Sequence, residues 1–190
     1  MKIITTPDPR LRKKSTKAHF DDPKISELIS EMRKHSLEWE KEHKYELSAA
    51  MAAPQLGINK RVIIVRDDLE DKNNNHFTAL LNPEVIKVSG QPVRDFEGCL
   101  SVPYIYGKVP RPPHIKIKAE LEDGTPVRIK ADDFLARTLL HEIDHLNGIL
   151  FIDHIKNDRD AFYIMNEKGE LDPLDYDKNI KDNHELFPDD

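Results

Sequence analysis

The chain has 190 residues, 38% hydrophobic and 34% charged, with a formal charge of −6. That length builds one sizeable core and is short for two; no run of about 18 apolar residues suggests a membrane span, and no repeat period suggests a solenoid. The acidic balance argues against nucleic acid as the main ligand. One cysteine allows no internal disulfide, and MKIITTPDPRLRKKS has no apolar signal core, so a cytoplasmic location is expected.

Taken in chain order, the basic stretch RLRKKSTK at 10–17 has no aromatic residues among its charges and reads as a solvated turn, not an RNA contact. Asp22 and Pro23 are a helix start, followed by Ile25, Leu28, Ile29 and Met32 at helical spacing, and this helix is predicted to run toward Lys44. RVIIV at 61–65 is a short β-branched strand, and KNNNH at 72–76 an exposed loop. HIKIKAELEDGTPVRIK at 114–130 alternates on both sides of an Asp-Gly turn, which predicts a hairpin. Thirteen prolines against seven glycines predict stiff connecting loops. Strands and hairpins cluster before the last helix without regular βαβ alternation, so the expected class is α+β.

That last helix is read from ADDFLARTLLHEIDHLNG at 131–148, with Asp132 or Asp133 near its start and Gly148 at its end. Leu135, Leu139, Ile143, Leu146 and Leu150 fall on one arc, while Phe134, Thr138, His141 and His145 lie together on the adjoining one. His141 and His145 are four residues apart, about one helical turn, so both rings leave the same face and can grip one cation beside the core. Such a catalytic site usually has three protein ligands and an open position for water. The extended metalloprotease pattern fails, because its final histidine is Phe151 here. Two candidates stay open: Glu167, in the Gly- and Pro-flanked NEKGE, and the sole cysteine, Cys99 in DFEGCLSVP. A thiolate suits zinc or ferrous iron.

Three stretches together, SAAMAAPQ at 48–55, EGCLS at 97–101 and HEIDH at 141–145, resemble the motifs of the peptide deformylases. The likeness extends through PDPRLR, NPEV, VPRP and DHLNGILFIDHI, over roughly residues 3–156. It implies antiparallel strands around a metal-binding helix that carries HEIDH. It also implies removal of the N-formyl group from N-formylmethionyl nascent peptides, near the ribosome exit. Cys99, His141 and His145 would hold one divalent ion, ferrous iron by resemblance, with zinc, nickel and cobalt fitting the same ligands. The Gln55 amide and the backbone N–H of Leu100 would stabilise the carbonyl oxygen. Glu142, next to a ligand but not itself one, is suited to take the proton of the attacking water and pass it to the departing amine.

Phe134 and Thr138 share the face of His141 and, with Ala49 opposite, are expected to line a pocket for methionine. Ser48 and Ala50 replace two glycines of the usual family motif, so their side chains are expected to narrow the peptide groove. An Arg111–Asp144 salt bridge is expected to brace the histidine helix. Residues 1–165 are assigned to the catalytic domain and 166–190 to an acidic C-terminal extension, read as disorder or a peripheral strap. A monomer without membrane contact is expected.

Overall fold

Asp22 accepts a hydrogen bond from the Lys24 backbone N–H at 3.0 Å, and Pro23 opens helix α1, Pro23–Glu42. The cap satisfies one of the free donors at the helix start, and the proline sets the first φ without losing a needed bond. The computed structural model describes residues 1–43, 45–68, 71 and 74–188. Lys44, toward which this helix was expected to run, lies outside that set, as do Lys72 and Asn73 of the expected loop; Asn74–His76 form an irregular link.

Seven strands precede the second long helix: β1 (Ala50–Ala52), β2 (Val62–Arg66), β3 (Phe77–Ser89), β4 (Val93–Cys99), β5 (Val102–Arg111), β6 (His114–Glu120) and β7 (Pro126–Asp132). Helix α2, Asp133–Leu146, follows, then β8 (Phe162–Met165), β9 (Leu171–Pro173) and a short α3 (Tyr176–Asn179). Strands β1-β2-β3-β6-β7 make one antiparallel sheet and β4-β5-β8-β9 another. The architecture is α+β, as expected.

The RVIIV run is apolar throughout because both faces of β2 are covered. Val62 and Ile64 pack with Leu28, Ile29 and Met32 of α1, whereas Ile63 and Val65 pack on the other side with Leu139, Ile143 and Leu146 of α2. The predicted hairpin is β6–β7, with Gly124 in the left-handed region at φ 84°. Helix α2 ends where expected: Gly148 adopts φ 77°, and its N–H donates to the His145 carbonyl at 3.1 Å. Only glycine fits there, since a Cβ would lie 2.4 Å from the Arg12 carbonyl oxygen.

Two expectations change: the apolar arc of α2 and the solvation of the basic stretch. Leu135 stands 37% exposed, because the first turn of α2 projects beyond the sheet that buries Leu139 and Ile143, and Leu150 lies past the helix end in a third core. Helix α2 starts at Asp133, directly after Asp132, as expected; the Asp132 carboxylate turns to His114 at 2.7 Å. The basic stretch is only partly solvated. Leu11 is buried, and Arg12 reaches the Asp153 carboxylate and the Leu186 carbonyl. The described C-terminal residues pack as a strap, one of the two readings expected. The β8–β9 hairpin straddles the expected boundary at 165, and Ile180 and Leu186 are buried against Phe151 and Phe162.

Candidate metal centre and active site

Helix α2 and the end of β4 meet over one cleft of about 270 Å³. His141 and His145 project from α2 one turn apart, and Cys99 comes from the last residue of β4, where the β4–β5 register breaks between Gly98 and Cys99. The candidate ligand atoms of Cys99, His141 and His145 all lie within 4.8 Å of one another, with Cys99 Sγ 3.2 Å from His145 Nε2. Among the described residues no other cluster of this kind occurs. Glu167, the rival third ligand, sits exposed in the β8–β9 turn and is not part of this cluster.

The cluster is held by a carboxylate that the sequence reading did not single out. Glu97 lies two residues before Cys99, on β4, and accepts from His141 Nδ1 at 2.9 Å. That bond directs the other nitrogen of His141 to the cluster. The same carboxylate accepts from Arg111 Nε at 2.8 Å and from Arg137 Nη1 at 2.9 Å. Arg111 continues to Asp144 at 2.6 Å, which is the salt bridge expected from sequence. Burial opposes charge on Glu97, but its bonds from His141 and Arg111 prevail and hold its carboxyl well below the usual range. The available signal was spacing: Glu97 shares strand alternation with Cys99, and Arg137 lies one helical turn before His141.

Burial disfavours a charged ring at His141, yet its contacts with Cys99 and Glu97 outweigh that and raise its pKa well above normal. His145 is pushed below normal by burial and by the charge of His141. One thiol and two imidazoles brought together in this way are a donor set that suits a divalent cation. Two polar atoms here are buried without a hydrogen-bonding partner among the described residues: Glu142 Oε2 and His145 Nδ1. Glu142 is 4% exposed and lines the cleft, and burial pushes its carboxyl up to about 7.

Gln55 belongs to a short turn of 3-10 helix, Ala53–Leu56, closed by Gly57 at φ 76°. Its Oε1 accepts from the Ala52 N–H at 2.8 Å, which turns the amide nitrogen toward Cys99 Sγ at 3.6 Å. Gln55, Leu100, Ala49, Ala50, Phe134 and Thr138 all line the cleft. Thr138 donates its hydroxyl to the Phe134 carbonyl at 2.9 Å, which consumes its polar function locally.

Ser48 departs from expectation, because it is 2% exposed and is not on the cleft wall. Its N–H donates to Glu40 Oε1 at 2.8 Å and its carbonyl accepts from Arg66 Nε at 3.2 Å, so it ties α1 to β2 behind the site. Only Ala50 of the two replaced glycines presents a side chain to the groove. The sequence reading also missed the opposite wall, where Trp39, Glu46, Tyr106 and Met165 line the cleft and Tyr106 donates to Glu46.

The family model described as polypeptide deformylase matches residues 1–161. A peptide deformylase of Thermomicrobium roseum is 40% identical over 171 residues, covering 88% of this chain and 93% of that one. Among solved structures, a probable peptide deformylase from Synechococcus phage S-SSM7 is 40% identical with a TM-score of 0.72, over 81% of this chain and 99% of the other. A class I type b peptide deformylase from Acinetobacter baumannii, solved with Met-Ala-Ser bound, is 29% identical with a TM-score of 0.72, over 82% and 98%. With a Cys-His-His cluster, an adjoining buried glutamate and agreement along most of its length, this chain belongs to the peptide deformylase family.

Proposed function

We propose that Cys99, His141 and His145 hold the metal ion on which this enzyme family depends, and that Glu142 is the acid-base group of deformylation. The family reaction hydrolyses the N-formyl group of an N-terminal formylmethionine and releases formate. The observation that carries the assignment is the buried, unpartnered Oε2 of Glu142 on the wall of the cleft that Cys99 and His141 of the three-residue cluster also line. When bound, the ion supplies Lewis acidity and makes water a competent nucleophile near neutral pH.

The remaining work falls to the chain itself. Glu142 takes the proton of the attacking water and delivers it to the departing amine, a task suited to a carboxyl whose pKa burial has moved close to neutrality. The Gln55 amide nitrogen and the Leu100 N–H donate to the oxygen that becomes negative as the formyl carbon turns tetrahedral. Ala49, Ala50, Phe134 and Thr138 receive the methionine side chain, whose flexible thioether adapts to an irregular apolar wall. The Met-Ala-Ser tripeptide bound by the Acinetobacter protein supports this class of substrate.

Ferrous iron is the proposed native metal; zinc, nickel and cobalt suit the same donor set. The enzyme is further proposed to act as a cytoplasmic monomer on chains emerging from the ribosome, with residues 1–165 its catalytic domain and 166–190 an acidic extension whose described residues pack on that domain. No helix among the described residues is long and apolar enough to cross a membrane. Formate release from formyl-Met-Ala-Ser by anaerobically purified protein, with elemental analysis, tests the reading. Metal-replete, folded protein that releases no formate would overturn it.

A further inference from the structure

The outer face of β6 and β7 differs in charge from the molecule as a whole. Strand alternation sends Ile115, Ile117, Ala119 and Ala131 to the core beneath α2 and leaves Lys116, Lys118, Arg128 and Lys130 exposed. The antiparallel register then sets Lys116 opposite Lys130, Lys118 opposite Arg128, and Lys87 of β3 opposite Lys116. Like charges directly opposite each other on one face of a ladder destabilise it. Lys118 has a carboxylate partner, Glu84, at 2.8 Å. Among the described residues no ion pair holds Lys87, Lys116, Arg128 or Lys130. Helix α1 covers this side of the sheet over β2 and β3, so the cations of β6 and β7 face open solvent.

Lys17, at the end of the N-terminal basic stretch, lies beside the same surface. Thr16 and Lys60 form a parallel bridge, and the Arg61 N–H donates to the Thr16 carbonyl at 2.8 Å. Glu84, bonded to Lys118, also feels the charges of Lys17 and Arg61, which help hold its carboxyl below the usual range. Segments more than a hundred residues apart thus build one cationic band on a chain whose formal charge is −6. The carboxylates along β6 and β7 are Glu120, at one end, and Asp132, bonded to His114.

We propose that this band docks the enzyme on the phosphate backbone of ribosomal RNA. The proposal rests on the reading that the substrate is a formylated nascent chain, which the enzyme meets on a particle built largely of RNA. Lysine and arginine side chains neutralise phosphates without reading bases, and the one exposed ring on β6 and β7, that of His114, is tied to Asp132 at 2.7 Å. The contact is therefore independent of sequence and sensitive to salt. The sheet lies between this band and α2, so docking leaves the metal cleft open to the emerging chain.

The test compares the full-length enzyme with a K116E/R128E/K130E variant, whose substitutions lie outside the catalytic cleft. Cosedimentation with purified bacterial ribosomes and fluorescence anisotropy with a short RNA duplex read binding. Formate release from soluble formyl-Met-Ala-Ser reads catalysis. The unsubstituted enzyme is expected to lose at least about 10-fold in RNA affinity between about 50 and about 200 mM salt. The variant is expected to bind RNA and ribosomes at least about 10-fold more weakly, with a shallower salt dependence, and to keep the same kcat/KM on the soluble peptide. Equal RNA binding by both proteins, or no salt-sensitive RNA binding by the unsubstituted enzyme, would sink the proposal. Stronger binding to phosphatidylserine vesicles than to RNA would replace it with a membrane surface. Absent formate release with charge-dependent RNA binding intact would instead count against the catalytic reading alone.

Discussion

Glu97 Oε2 lies 2.9 Å from His141 Nδ1, and its other oxygen accepts from Arg111 and Arg137 at 2.8 and 2.9 Å. One carboxylate therefore orients a metal ligand and bridges two buried guanidinium groups. Glu97→Gln keeps the shape but removes the charge. It should destabilise the fold by about 3 to 5 kcal/mol, because buried Arg137 loses its counter-ion and Arg111 keeps only Asp144, and weaken metal binding by about 10- to 100-fold. Urea denaturation and metal titration of the variant check both figures.

The same carboxylate predicts an acid limb. Its folded-state pKa is depressed, so its stabilising contribution is complete above the unfolded value of about 4.3 and is lost as pH falls below it. Stability of the unsubstituted protein should therefore decline below about pH 4.5, and the Glu97→Gln variant should decline less steeply. Parallel slopes in urea melts across that range would assign the acid limb to other groups.

Glu142→Ala should retain metal, since Glu142 is not a ligand in the proposed site, and slow formate release by at least about 100-fold through lost acid-base catalysis. Metal content and single-turnover formate release are measured on the same preparation. Full turnover would remove Glu142 from the mechanism.

Cys99→Ala should lower metal occupancy and deformylation together, because a thiolate bond and its charge disappear. Glu167→Ala should alter neither, as Glu167 is exposed in the β8–β9 turn. Elemental analysis, normalised to folded protein by circular dichroism, separates the two. Stoichiometric metal tightly held in Cys99→Ala would overturn the ligand assignment.

Thr138→Trp should fill the methionine pocket and raise KM for formyl-Met peptides, since Thr138 lines the cleft with its hydroxyl already bonded to the Phe134 carbonyl. An unchanged KM would place the pocket elsewhere.

Gly148→Ala should cost about 1 to 3 kcal/mol from its left-handed backbone alone. A further loss is expected from the 2.4 Å approach of the new Cβ to the Arg12 carbonyl oxygen. Its urea midpoint should fall accordingly, and a midpoint equal to that of the unsubstituted chain would show that the loop relaxes.

Local interactions were legible in the sequence because they repeat at fixed spacing. The α1 cap at Asp22, the Asp-Gly hairpin, the glycine end of α2 and the common face of His141 and His145 all follow from neighbours within about one turn or one strand pair. Cys99 entered through motif resemblance, since no periodicity brings residue 99 to residue 145. Tertiary structure decided that approach by packing the end of β4, from one sheet, against a helix that covers the other. It also turned Ser48 away from the groove, gave Glu97 its three cationic or donor partners, and exposed Leu135 at the overhanging first turn. The alternating lysines of β6 and β7 show the same division. The β6–β7 hairpin was readable by itself, but only the folded sheet sets Lys87 of β3 against Lys116, because the sequence of a strand carries no information about its offset from one it does not adjoin in the chain.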